Sequence, residues 1–140
     1  YFSRNLPLFC MDESFPLEDT KVKIQDILVE PEIRFCGLID SEGELLAGDM
    51  KPGVIPLETD KDRRKIYSQL AHRAANRSGF DANFGRVKYS SSRREKVVMI
   101  SFPIGRYILL VIAEPSVNID RLAWKIIYKL DHQWSEYYGF

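Results

Sequence analysis

His72 and His132 are the only histidines, and neither has a second histidine or a cysteine three or four residues away. That spacing is what puts two metal ligands on one helical face, so neither reads as a metal ligand. The run Ser90-Ser91-Ser92 lacks the flanking glycines that strain a nucleophilic serine. Gly37, Gly43, Gly48 and Gly53 are followed by no Lys-Ser or Lys-Thr pair, so they do not form a phosphate loop. Asp40 and Asp49 flank a hairpin, and facing carboxylates can do acid–base work, but aspartate gathers at strand ends because it serves turns. The cluster Arg93-Arg94-Glu95-Lys96, with Arg86 and Lys88 upstream, is the one notable basic patch. It suits solvated turns, or a site for a phosphate or an acidic partner through Arg93, Arg94 and Lys96. No nucleophile, base and orienting group converge, which points to a protein with no enzymatic activity, no metal and no cofactor.

The frame for these residues is set by composition. A chain of 140 residues has the size of one domain. Its 45% hydrophobic and 29% charged residues are ordinary for a globular protein. Lys+Arg and Asp+Glu both count 20. The basic excess of a nucleic-acid binder is therefore missing, and no nucleic-acid partner is expected. Cys10 and Cys36 do not make a disulfide framework, so a reducing cytoplasm is the expected setting, with a bridge between the two left open. No apolar run reaches the roughly 20 residues of a membrane span.

The elements follow from periodicity and punctuation. Residues 1–17 read as an irregular arm broken by Pro7 and Pro16, and residues 18–137 as one domain. Asp19 or Thr20 caps a short helix to about Val29, which Pro31 ends. Arg34–Asp40 and Glu44–Asp49 form a hairpin, with Asp40 starting the turn and Gly43 closing it. Thr59 or Asp60 then caps a helix to Ser78, with Ile66, Leu70 and Ala74 on its apolar stripe and Tyr67, Ala71 and Ala75 beside it. After a link at residues 80–83 come three strands. The first, Phe84–Ser91, alternates Val87 and Tyr89 against Arg86 and Lys88 and reads as an edge. Lys96–Phe102 and Arg106–Ala113 carry consecutive apolar residues, so one of them is expected at the centre of the sheet, covered on both faces. Pro103-Ile104-Gly105 turns between them. Asn118 caps a last helix whose stripe runs from Ile119 to Trp134, with the Trp134 ring buried. The fold class is thus α+β, a five-stranded antiparallel sheet with three helices on its two faces.

This order, together with Phe35-Cys36-Gly37-Leu38-Ile39-Asp40 and its Gly43 turn and the apolar last strand before a helix, resembles the roadblock (dynein light-chain, or robl-type) family of the profilin-like folds. The likeness covers about Lys21 to Trp134. The stretch from Ser92 to Pro103 also looks like a group of small archaeal proteins. The roadblock resemblance implies a dimeric scaffold, here a homodimer, that regulates small Ras-like GTPases. It implies that the strand with Arg86, Val87, Lys88 and Tyr89 pairs with its copy across a twofold axis. The helix carrying Ile66, Tyr67, Ala71, Ala74 and Ala75 would pack beside it. A ligand sensor of the PAS or GAF kind is the alternative. It needs a roomy pocket between sheet and helix, whereas the aliphatic strands read as filled core.

Overall fold

Every residue of Tyr107–Ala113 is buried. An antiparallel strand reaches that state only with neighbours on both edges and cover on both faces. The computed structural model, which describes residues 15–130, supplies both. In chain order the elements are α1 (Leu17–Leu28), β1 (Ile33–Ile39), β2 (Leu45–Met50), α2 (Asp60–Arg77), a 3-10 turn (Ser78–Phe80), the one-turn helix α3 (Asp81–Phe84), β3 (Ser90–Arg93), β4 (Val98–Ile104), β5 (Tyr107–Ala113) and α4 (Ile119–Leu130). All pairings are antiparallel, in the order β2-β1-β5-β4-β3. The apolar strand β5 therefore lies at the centre, and the α+β class read from the sequence holds.

Successive side chains of a strand point to opposite faces, and β5 feeds two separate cores in that way. Tyr107, Leu109, Val111 and Ala113 join α1 and α4, which bring Ile24, Ile27, Leu122, Ala123, Ile126 and Leu130. Ile108, Leu110 and Ile112 join α2, which brings Tyr67 and Leu70, together with Phe35 and Ile39 of β1.

The hairpin forms as its residues dictate. Asp40 Oδ1 accepts the backbone N–H groups of Glu42 and Glu44, both at 2.9 Å. Gly43 takes φ +86°, a conformation that glycine alone adopts freely. Thr59 Oγ1 accepts the N–H of Asp62 at 3.1 Å and caps α2.

Four expectations are corrected. α1 begins at Leu17, directly after Pro16, so Asp19 and Thr20 lie within its first turn rather than at its cap. There Thr20 donates its hydroxyl back to the Pro16 carbonyl at 2.8 Å. Residues 81–84 form a fourth, short helix where a link was expected. Gly85 follows at φ +81°, and the chain becomes a strand only at Ser90. Arg86, Val87, Lys88 and Tyr89 therefore precede β3 instead of forming it. Finally, Pro103 and Ile104 extend β4 rather than turning it. The pairing of β3 stops at Ser101, so Pro103 sits where β4 has a neighbour on one side only, a place where a strand tolerates proline. Trp134 and His132 lie outside the described residues, as does Cys10; Cys36 is buried and free.

Candidate functional site

Counting helices against strands locates the site. Five strands place the outer strand axes roughly 19 Å apart, and a helix with its side chains is about 10 Å across. One face of a five-stranded sheet therefore needs two helices. α1 and α4 meet that need on their face. The other face has α2, whose buried partners come from β1 and β5. Beside it, over β3 and β4, lies a groove of about 940 Å³.

The floor of the groove is apolar: Met50, Ile66, Leu70, Val97, Met99, Leu110 and Ile112. Its outer lip is Ser90, Ser91 and Ser92 of β3, and Ser101 lies inside it. Lys65, His72 and Arg73 of α2 stand on one side, and Arg94, just past β3, on the other. Two further charges at its end are already engaged. Arg34 pairs with Glu114 at 3.3 Å and donates to the Ile55 carbonyl at 3.0 Å. Glu58 pairs with Arg63 at 3.4 Å.

Next to that ion pair, Tyr67 is buried under α2 and stacks on Phe35 with ring centres 6.3 Å apart. Its hydroxyl has no hydrogen-bond partner among the described residues. Burial pushes its ionisation up to about 12, against the opposing pull of Arg63.

The residues singled out from sequence are divided between two faces. Ile66 lines the groove and Ala74 packs against the core beneath α2. Tyr67 and Ala71 are buried inside the chain, and Ala75 is exposed. Arg86 and Lys88 are exposed, and Val87 is half-buried. Tyr89 packs on the other side of the sheet, its ring 6.2 Å from Phe102 and 6.5 Å from Trp124. Its hydroxyl donates to Asp120, which pushes the Tyr89 ionisation upward. The basic patch also separates. Arg93 turns to that same side, where its guanidinium donates to the carbonyls of Pro115 and, at 2.7 Å, Val117. Arg94 faces the groove, and Lys96 stays exposed outside it. Asp40 and Asp49 serve the local backbone, Asp40 by accepting the N–H groups of Glu42 and Glu44 and Asp49 by accepting that of Met50 at 2.7 Å.

Sequence reasoning missed Lys65, Arg73, Met99, Ser101 and the lip role of the three serines. One signal was available: Val97, Met99 and Ser101 alternate with Val98, Ile100 and Phe102, and a serine at that position marks the less sealed face. Among the described residues, no three His, Cys, Asp or Glu side chains are grouped to hold a metal ion. No helix among them is long and apolar enough to cross a membrane.

A family model matches residues 13–140, nearly the whole chain. The chain belongs to DUF6659, a family of unknown function. No curated protein matches the sequence. Solved structures show where its fold sits. MglB from Myxococcus xanthus is 16% identical with a TM-score of 0.63, covering 83% of this chain and 91% of its own. The Roadblock/LC7 domain from Streptomyces avermitilis is 10% identical with a TM-score of 0.60, covering 79% and 90%. Profilin IA of Acanthamoeba castellanii is 16% identical with a TM-score of 0.52, covering 86% and 98%. At these identities the likeness is one of fold: this DUF6659 domain has the roadblock-type, profilin-like architecture.

Proposed function

We propose that the domain is a non-enzymatic interaction module that self-associates through β3 and the exposed side of α2 and presents the joint surface to a small Ras-like GTPase. The observation that carries this reading is the half-covered sheet face that ends in an open edge. Among the described residues β3 pairs with β4 alone, which leaves its outer backbone groups for another strand. The charge conflict that Arg86 and Lys88 would create across a twofold axis does not fall on the strand. Its residues are three serines and an arginine that is engaged elsewhere. Placing Ser91 or Ser92 opposite its own copy joins two small polar edges, as an isologous contact requires. The roadblock fold supports the GTPase as partner, and one MglB structure is described as having a tetrameric arrangement.

Sedimentation at low micromolar concentration tests the reading. The expected mass is twice 16.3 kDa, with a further shift when a GTP-loaded Ras-like protein is added. A clean monomer with no shift refutes it.

The groove volume favours a second reading, a small-ligand sensor, because about 940 Å³ lies at the top of the range of ligand sites. Native mass spectrometry separates the two: a co-purifying small molecule supports the sensor, and a ligand-free dimer supports the scaffold.

A further inference from the structure

We propose that the groove beside α2 receives an extended acidic segment of a partner protein, with its carboxylates held by Arg73 and Arg94 and its apolar side chains laid on Val97 and Met99. The proposal rests on the reading of the domain as an interaction module and names the kind of partner.

Charge is the first argument. The chain is neutral overall, yet the rim of the groove gathers Lys65, Arg73 and Arg94. None of the three has an ion pair among the described residues, and Asp62 is the one unpaired acid beside them. An acidic segment supplies the charge that this rim lacks.

Shape is the second argument. The lining runs along α2 from Asp62 to Arg73, about 16 Å at the helical rise. That is the length of roughly five residues of extended chain. An extended segment laid along the groove turns alternate side chains toward the apolar floor and away from it, so an alternating apolar–acidic pattern satisfies both the floor and the rim.

The test uses the full chain and a fluorescein-labelled peptide of about twelve residues alternating Leu and Glu, with a Leu/Lys twin as control. The Leu/Glu peptide is expected to bind at least about tenfold tighter than its twin and to weaken as salt rises. An Arg73→Glu/Arg94→Glu variant should lose at least about tenfold in affinity. Arg121→Glu, on the exposed side of α4, should bind as the parent does. Equal binding of both peptides, binding of neither, or an unaffected Arg73→Glu/Arg94→Glu variant overturns the proposal. Sedimentation of the same samples separates it from the reading beneath it. Selective Leu/Glu binding by a monomer upholds the groove and removes self-association. A dimer that ignores the peptide does the reverse.

Discussion

The two faces of the sheet are built from the same five strands and differ in how many helices they hold. On the α1/α4 face, the core is closed from Phe15 to Leu130. The helices there are also clasped by charge. Glu30, just past α1, meets Lys125 at 2.7 Å and Lys129 at 2.9 Å. Lys129 donates in addition to the Asp26 carbonyl at 2.9 Å. On the α2 face, one helix among the described residues covers half the width, Val97 and Met99 stay half-buried, and the buried Tyr67 hydroxyl has no partner among those residues. Among the described residues, one face is closed and the other keeps an open groove beside its helix. The sealed face should carry stability and the grooved face binding, and substitutions can break that division.

Phe102→Ala, on the sealed face, should cost the most, about 3–5 kcal/mol. Met99→Ala, three positions earlier on the opposite face, should cost about 1 kcal/mol because its side chain is only half-buried. Urea unfolding of both variants checks the contrast, and equal losses would abolish it.

Tyr67→Phe removes a buried hydroxyl that has no partner among the described residues. It should leave stability unchanged or raise it by up to about 1 kcal/mol. A clear loss would show that the hydroxyl is bonded in solution.

Glu30→Gln should cost little, below about 1 kcal/mol, since one of its two lysines is half-exposed. Hydrogen bonds from Lys125 and Lys129 hold the Glu30 carboxyl below the usual carboxylate range. A lowered folded-state pKa stabilises the fold above the unfolded-state value and loses that contribution as pH falls through the folded-state value. The gap between parent and Glu30→Gln should therefore be widest near neutral pH and close in acid. Urea midpoints taken at neutral pH, near pH 5 and near pH 3 measure it, and a gap that persists in acid would rule out the charge pairing as its source.

The sealed face was legible in the sequence because its signals are local. Ile119, Leu122, Ala123, Ile126 and Leu130 form one helical stripe, and the consecutive apolar residues of β5 demand cover on both sides. Asp40 and Gly43 specify their turn by side-chain hydrogen bonding and backbone freedom alone. The grooved face was not legible, for two physical reasons. Its width depends on how many helices share a face, which no single segment encodes. Its lip is a strand of serines, residues with little intrinsic preference for strands, and β3 is extended because β4 pairs with it. The alternation at Arg86–Tyr89 looked more like a strand, but the helical turn of α3 and the positive φ of Gly85 precede it and hold that stretch out of the sheet.

Gly43 closes the hairpin, and it also touches α2. A Cβ on it would lie 2.9 Å from the Ser68 Cα and 3.0 Å from the Ser68 nitrogen, so hairpin tip and helix meet backbone to backbone with no side chain between them. In mechanical terms that contact is a pivot. A swing of α2 that widened or narrowed the groove would turn against the tip of the β1–β2 hairpin. The residue that sets the gauge of the groove thus stands outside it, and bulk added there would act on the binding face as a lever acts, through its fulcrum.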